Sequence, residues 1–202
     1  MKQRLPALLL FIGLSLLLYP ALCAQHSQGA QRDILEGYRT AVSRLGSEEC
    51  QRRLAAAEAG NDPSLLVIEE SGIIGYVTIP KLRICLPLYP DTKEASLRSG
   101  AGLWEGGSLP LGGMGRHSVL AAHRGLPEDR LFRELDALEV GDRFSVTVPG
   151  RVLTYQVDQI LVVLPQDVQA LQPEAGLDLC TLLTCTPYGV NSHRLLVRGS
   201  RI

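Results

Sequence analysis

The sequence predicts an all-β domain, closed into a barrel and preceded by a helical N-terminal segment. From residue 72 onward, apolar and β-branched residues recur in short runs that Gly and Pro clusters separate. Within this part only residues 130–138 have a helical pattern. Seven or more short strands with one helix are typical of a closed barrel. The predicted strands are 73–79, 84–89, 117–122, 144–148, 152–163, 181–185 and 194–198.

The N-terminus has the pattern of a membrane anchor. Lys2 and Arg4 precede an uncharged stretch whose apolar centre, 7–24, is close to the roughly 17 to 20 residues that span a thin bilayer. A cleaved signal peptide is the competing interpretation, but Leu22 occupies a position where signal peptidases prefer a small residue. The same leucine argues against a lipoprotein site at Cys23. We therefore expect an uncleaved, single-pass anchor over 1–24, with the rest of the chain outside the cell membrane.

The segment between anchor and barrel is predicted to be helical. Residues 33–58 combine helix formers with apolar residues at helical spacing, and Gly46 is an expected stop, so one or two membrane-proximal helices are predicted. Asn61, Asp62 and Pro63 then break the pattern. The predicted domains are thus the anchor at 1–24, a helical segment at 25–71 and the barrel at 72–202.

Composition excludes several function classes. A formal net charge of -1 and 5% aromatic residues provide neither a basic stripe nor a stacking platform, so we expect no nucleic-acid partner. Five cysteines form no CxxC pair and no metal-type cluster with the four histidines, so neither a metal nor another cofactor is expected. Cys85 and Cys180 are expected to be buried apolar residues. Cys180 and Cys185 are five residues apart and should point to opposite faces of one strand.

Cys185 is the candidate nucleophile. It ends the apolar run 181–184 and is followed by Thr186 and Pro187, so its side chain can lie at an accessible barrel rim. A turn rich in Gly, Pro and Asn follows, and Arg194 opens the next run. Such a hairpin can bring a guanidinium beside the thiol, where it could stabilise an oxyanion at any working pH.

His123 is the candidate general acid or base. It follows the apolar run 118–122 and precedes a Gly-Leu-Pro break, so it also falls at a strand end. His117 and His193 are the alternatives. The first begins the same run, and the second should point away from the face of Arg194 on a regular strand. His26 lies near the anchor and is not a candidate.

Four segments of this sequence resemble the sortases of Gram-positive bacteria, most closely the pilin-polymerising class C branch. They are GYVTIPKL at 75–82, GSLPLGG at 107–113, AHRGLP at 122–127 and TLLTCTPYGVNSHRLLVRG at 181–199. The resemblance implies an eight-stranded sortase barrel with Cys185 as nucleophile, His123 as acid and base, and Arg194 as oxyanion stabiliser. It also implies that Thr184 helps to shape the substrate groove.

The same resemblance implies a reaction and its partners. A cysteine transpeptidase of this kind cleaves an LPxTG-like sorting signal and transfers the acyl fragment to an amine, which is a pilin lysine in class C enzymes. Attachment to peptidoglycan by a housekeeping sortase and a non-catalytic wall-binding or pilus-binding barrel are the alternatives. Class C relatives often have an Asp-Pro-aromatic lid over the site. Here Asp62 and Pro63 are followed by Ser64, so a shortened lid, no lid or a plain loop break is expected.

Overall fold

The computed structural model describes the backbone of residues 4–68, 72–125 and 130–202, and the side chains of these residues from 29 onward. Its eight strands close into a barrel in the order β1-β2-β3-β4-β7-β8-β6-β5. The predicted all-β barrel is therefore confirmed. The strands are β1 Gly75–Ile79, β2 Ile84–Tyr89, β3 Ala101–Leu103, β4 Arg116–Ala121, β5 Arg143–Val148, β6 Arg151–Val163, β7 Asp178–Thr186 and β8 His193–Arg201.

Two of the strand pairs are parallel, and one of them carries the candidate site. β4 runs parallel to β7, and β2 runs parallel to β3, whereas the other neighbours are antiparallel. Alternate residues of the strands face inward, as the buried and half-exposed positions of β5 illustrate. The interior is filled by one large apolar cluster that includes Leu120 of β4, Phe144 of β5 and Leu182 of β7.

The predicted strands agree with the observed ones to within a few residues, except that β3 was missed. β3 has only three residues and contains Gly102, so its sequence has no strand signal. The glycine is required by a close approach of backbone, because a Cβ atom at position 102 would lie 2.2 Å from the carbonyl oxygen of Asp91. Pairing with β2 and β4 holds this segment in the barrel.

The helix predicted over 130–138 is wrong. Residues 131–134 form turns, and a single 3-10 turn follows at Leu135–Ala137. Leu131 has a φ of 36°, which is incompatible with a continuous right-handed helix. The segment instead turns so that Leu131, Phe132 and Leu135 all enter the main apolar cluster, and tertiary packing overrides local helical propensity. The barrel's own α-helix, α2, spans Glu94–Ser99 and was not predicted.

Residues 33–58, for which one or two membrane-proximal helices are predicted, are helical. Helix α1 spans Arg4–Gly60 and is interrupted at Gly46, whose φ of 75° and ψ of 165° are not helical, so it consists of two helices joined at the predicted stop. The first packs against the barrel near the start of β1, where the Tyr38 hydroxyl donates to the carbonyl of Ile74, the residue before β1, at 3.1 Å. Arg39 lies over the ring of Tyr76. A 3-10 helix at Pro63–Leu66 follows α1, and further 3-10 turns lie at Pro80–Leu82 and Gln169–Leu171.

In the described part of the chain, no helix has both the length and the apolar character to cross a membrane. The predicted anchor falls on residues 1–24, whose side chains lie outside the described set. The anchor therefore stays a prediction.

Replacing Leu120 with alanine tests the assignment of the barrel interior. Because Leu120 is fully buried, we expect Leu120→Ala to lower the free energy of unfolding by about 2 to 5 kcal/mol. Leu164→Ala is the matched control, since Leu164 is 49% exposed and its loss should change stability by less than about 0.5 kcal/mol. Urea denaturation followed by Trp104 fluorescence measures both. Equal losses would contradict the assignment.

Candidate active site

The hairpin of β7 and β8 brings Cys185 and Arg194 together. The two residues are directly paired in the antiparallel register, so their side chains leave the same face of the sheet with Cβ atoms about 4.5 to 5.5 Å apart. That face is the outer one. Leu182 and Thr184, on the other face of β7, are buried, whereas Cys185 is half-buried. A thiol near the end of β7 is thus accessible and lies beside a permanent cation.

The parallel pair of β4 and β7 brings His123 to the other side of Cys185. The paired register ends at Ala121 and Leu183, and the amide of Ala122 still donates to the carbonyl of Leu183 at 3.1 Å. His123 and Cys185 each follow the last pair by two residues. They therefore lie at the same end of neighbouring strands, which are separated by about 4.8 Å.

His123 is half-buried and contacts an acidic residue that the sequence did not indicate. Its Nε2 atom lies 3.4 Å from Oε2 of Glu94, the first residue of α2. This is an electrostatic contact rather than a directed hydrogen bond. A hydrogen bond from Arg98, assisted by the charge of His123, holds the pKa of the Glu94 carboxyl below its ordinary value. Glu94 belongs to a helix without a sequence signal, so no local pattern could have identified it.

The guanidinium of Arg194 is held by the turn that precedes β8. Its Nη1 atom donates to the carbonyls of Asn191 at 3.1 Å and His193 at 3.0 Å. Among the residues that the structure describes, no carboxylate lies within ion-pair distance of this guanidinium. Arg194 therefore carries a positive charge beside the thiol that no anionic side chain of the described chain neutralises.

The alternative histidines occupy different environments. His117 is fully buried, and its Nε2 and Nδ1 atoms lie 2.7 Å from the Thr181 hydroxyl and 3.1 Å from the Gln172 carbonyl. Burial lowers the pKa of His117 below its ordinary value. His193 is paired with Thr186, one position from the Cys185 pair, so it faces the opposite side of the sheet. Among the residues that the structure describes, His123 is the histidine that the register of β4 and β7 brings to the strand end beside Cys185.

An apolar groove on the outer face of the barrel adjoins these groups. Leu183 forms its floor, flanked by its register partners Ala121 and Leu196, and Arg194 lies at the end nearest Cys185. The cavity measures about 250 Å³. Its walls come from the segment before β4, from the last residue of β6 and from the segment after β6. They include Thr92, Leu97, Trp104, Val163, Pro165, Asp167, Val168 and Leu171.

Thr184 does not line this groove. It is 1% exposed, and its hydroxyl faces inward and donates to the carbonyl of Ala122 at 2.8 Å. The predicted contribution of Thr184 to substrate binding stays a prediction. The residue lies on the inner face because side chains alternate along β7 and its neighbour Cys185 faces outward. Any effect of Thr184 on the groove must act through the strand end that carries His123.

The cysteines follow the predicted alternation. Cys180 belongs to the barrel interior and Cys185 to the outer face. Burial raises the pKa of the Cys180 thiol well above its ordinary value, which makes that thiol unreactive. Cys85 is half-buried rather than fully buried, because it lies on the outer face of β2 near the Thr78 hydroxyl. Cys50, Cys85, Cys180 and Cys185 are all free thiols.

Asp62 and Pro63 lie at the other end of the barrel. Asp62 caps the 3-10 helix Pro63–Leu66 through a bond from the amide of Ser64 at 2.8 Å. The nearby Glu58 forms an ion pair with Arg116, the first residue of β4. Cys185 lies at the far end of the parallel strand β7, roughly 23 Å away at about 3.3 Å per residue. Asp62 therefore acts as a helix cap in this structure and does not cover the thiol.

Comparisons with known proteins identify relatives for most of the chain. Residues 77–202 match the family model of the sortase domain. The solved structure of sortase C from Streptococcus pneumoniae, described for its catalysis and pilin substrate specificity, is 43% identical with a TM-score of 0.80, and the match covers 84% of this chain and 96% of that one. Sortase C1 of pilus island 1 of group B Streptococcus (GBS) is 42% identical with a TM-score of 0.80, covering 85% and 92%.

A curated relative of a second kind also matches. Sortase A of Streptococcus agalactiae serotype III (strain NEM316) is 29% identical over 117 residues, which cover 56% of this chain. The match spans 47%, about half, of that relative's length. The similarity to the sortase C structures is thus both higher and more extensive.

The buried His117 predicts a pH dependence of stability. Because the pKa of His117 is lowered in the folded protein, the unfolded chain binds more protons at this position, with a pKa of about 6.5. The free energy of unfolding should therefore fall as the pH decreases below about 7. We expect His117→Asn to reduce this dependence and the control His193→Asn to retain it. Urea midpoints between about pH 7.5 and pH 5 measure both, and an unchanged slope in His117→Asn would exclude His117 as the cause.

Proposed function

Because the chain belongs to the sortase family, we propose that it is a cysteine transpeptidase that cleaves an LPxTG-like sorting signal and joins the acyl fragment to an amine. One observation supports this above all. Cys185 on β7 lies between its register partner Arg194 on β8 and the end of β4 that carries His123. A nucleophile, a fixed cation and an imidazole at one end of three neighbouring strands are the groups that acyl transfer requires.

Acylation consumes the thiolate of Cys185. Its Sγ atom attacks the carbonyl carbon of the threonine in the sorting signal, and the negative charge moves to the carbonyl oxygen. The Arg194 guanidinium, which has no carboxylate partner among the described residues, stabilises this oxyanion. The carbon–nitrogen bond then breaks, and His123 gives a proton to the departing glycine amine. The product is a thioester on Cys185.

Transfer to the acceptor reverses these roles. The acceptor amine attacks the thioester carbonyl, His123 takes the proton that the amine loses, and the carbon–sulfur bond breaks to regenerate the Cys185 thiolate. Glu94, whose Oε2 atom lies 3.4 Å from Nε2 of His123, would stabilise the imidazolium that is present before acylation and forms again during transfer.

The groove fits the apolar part of a sorting signal. Its floor of Ala121, Leu183 and Leu196 leads to the end at which Arg194 and Cys185 lie. A leucine or proline side chain bound there would bury apolar surface, while the threonine carbonyl would reach the thiol. Thr184 would contribute from the barrel interior by holding Ala122, the residue before His123.

A pilin lysine is the proposed acceptor, and pilus assembly is the proposed process. Support comes from the 43% identity to a sortase C described for pilin substrate specificity. A wall-peptide amine is the second candidate, because sortase A relatives also match. Incubation of the enzyme with pilin subunits in one reaction and a wall-peptide amine in another separates the two. A ladder of covalent pilin polymers supports the first, and product with the wall peptide alone supports the second.

The protein is further proposed to act at the outer face of the cell membrane, held by an anchor at residues 1–24. Support comes from the sequence, in which basic residues precede the apolar stretch. Fractionation of cells that produce the full chain, followed by protease treatment of intact protoplasts, tests this topology.

Replacing Cys185 tests the transpeptidase proposal directly. We expect the wild-type chain to gain the mass of the acyl fragment on Cys185 when a sorting-signal peptide is added, and Cys185→Ala to gain none and form no product. Cys85→Ala is the control, because Cys85 is half-buried on β2 and is not part of the proposed site. Intact-protein and peptide mass spectrometry locate the adduct. A wild-type chain that binds the peptide without an adduct would favour the non-catalytic binding module.

Replacing Arg194 tests its role toward the oxyanion. Loss of one oxyanion-stabilising donor typically lowers kcat by about 100- to 1000-fold, and we expect Arg194→Ala to show a loss of this size. Alkylation of Cys185 should continue in this variant, because the thiol remains. Arg52→Ala is the control, since Arg52 is 71% exposed on α1. Near-normal turnover of Arg194→Ala would remove the residue from the mechanism.

A further inference from the structure

Two side-chain hydrogen bonds cross-link the strand ends before and after His123 and Cys185, the residues proposed to react. Before them, the buried Thr184 hydroxyl donates to the Ala122 carbonyl at 2.8 Å. After them, Arg124 Nη1 donates to the Thr186 hydroxyl in a short hydrogen bond. Each cross-link joins the β4 side to the β7 side across 62 positions of sequence. We define the second, together with Asp136, as the Arg124 bridge.

The Arg124 bridge begins where the backbone ladder stops. The register of β4 and β7 ends at Ala121 and Leu183, and the last backbone bond runs from Ala122 to Leu183. Beyond that point the strands have no mutual backbone hydrogen bonds among the described residues. Strand ends without such bonds fray readily. The distance between His123 and Cys185 therefore depends on side-chain bonds.

Asp136 fixes the guanidinium of Arg124 from the other side. Its Oδ2 atom accepts from Arg124 Nη2 at 2.5 Å, and Asp136 belongs to the 3-10 turn Leu135–Ala137, which packs into the apolar cluster through Leu135. The amide of Phe132, in the same segment, donates to the His123 carbonyl at 3.1 Å. One anchored segment thus holds both the backbone of His123 and the side chain of its neighbour.

Stability alone does not account for this arginine. The Arg124 side chain is only 10% exposed, and its Nε atom is buried without a hydrogen-bond partner. A buried, unpaired N–H group is unfavourable, and a partly exposed carboxylate such as Asp136, 57% exposed, offsets little of the desolvation of a cation. An uncharged side chain would fill the space at lower cost. The presence of a charged guanidinium is explained if its hydrogen bonds to Thr186 and Asp136 position the groups of the neighbouring site.

We propose that Arg124, acting through Thr186 and Asp136, is a positioning residue that keeps Cys185 at its working distance from His123. This inference rests on the proposed transpeptidase function. A displacement of about 1 Å in a reacting group can lower the rate by about 100-fold. Loss of the bridge should therefore lower kcat by about 10- to 100-fold and leave KM nearly unchanged, because neither Arg124 nor Thr186 lines the groove.

A pair of substitutions at Thr186 provides the sharpest test. Thr186→Val has nearly the same shape but cannot accept the hydrogen bond, whereas Thr186→Ser retains the hydroxyl. We expect Thr186→Val to lose kcat by about 10- to 100-fold and Thr186→Ser to retain most of it. The pH profile of Cys185 alkylation, mapped by mass spectrometry, should shift in the valine variant alone, because thiolate formation depends on the nearby imidazole.

A double-variant cycle identifies the bond itself. Arg124→Gln should reproduce the loss seen in Thr186→Val, and the double variant should lose no more than the larger single loss, because both changes remove one hydrogen bond. Losses that multiply would overturn the inference. Arg130→Gln is the control for loss of an arginine near this segment, since Arg130 is 63% exposed. Equal urea midpoints of the two Thr186 variants confirm that both are folded.

The outcomes separate this inference from the proposed function. No acyl adduct in the wild-type chain would reject the transpeptidase function and with it the positioning role. An active wild type with unchanged kcat and an unchanged alkylation profile in Thr186→Val would reject the Arg124 bridge alone. A kcat loss that Thr186→Ser shares would also reject it, because the hydroxyl would then not be the group that matters.

Discussion

The register of β7 against its two neighbours is the constraint on which the candidate site depends. β7 lies between β4 and β8, parallel to the first and antiparallel to the second. The antiparallel register pairs Cys185 with Arg194, and the parallel register ends two residues before Cys185 and His123. A slip of one residue in either pair would turn a reacting group to the opposite face, because side chains alternate along a strand. The closed barrel prevents such a slip, since β7 has no free edge.

Different bonding partners give chemically similar residues in this barrel different roles. Arg198, on β8 like Arg194, is held by carboxylates of Asp158 and Glu174 and ties the strand to its neighbours. Arg194 is bound only through turn carbonyls among the described residues and retains its charge for a ligand. His117 is buried with both ring nitrogens in contact with polar partners, whereas His123 is half-buried and contacts Glu94.

The strand ends that carry the proposed reacting groups are held from inside the barrel. Thr184 donates a hydrogen bond to Ala122, the residue before His123. Arg124, the residue after His123, donates one to Thr186, the residue after Cys185. Preorganisation of this kind reduces the reorganisation needed at the moment of reaction. The arrangement also explains why Thr184 is buried, because its hydroxyl bonds to the scaffold and its neighbour Cys185 faces the groove.

The sequence by itself determined the features that depend on local pattern. Alternating apolar residues predicted seven of the eight strands, and Gly46 predicted the break in α1, because periodicity and turn chemistry act over a few residues. The spacing of Cys185 and Arg194 around a turn predicted their meeting for the same reason. The segment 130–138 was misread as a helix because burial of Phe132 and Leu135 outweighed helical propensity.

Only the tertiary structure decided how distant strands pair. The parallel pairing of β4 with β7 brings His123 beside Cys185, and no local signal encodes a contact between residues 62 positions apart. The bond from Thr184 to Ala122 and the bridge from Arg124 to Thr186 follow from that pairing, and the contact of Glu94 with His123 depends on how α2 packs against the end of β4. Such contacts depend on the free energy of closing the whole barrel, to which every strand contributes, and so they cannot be predicted from any one segment.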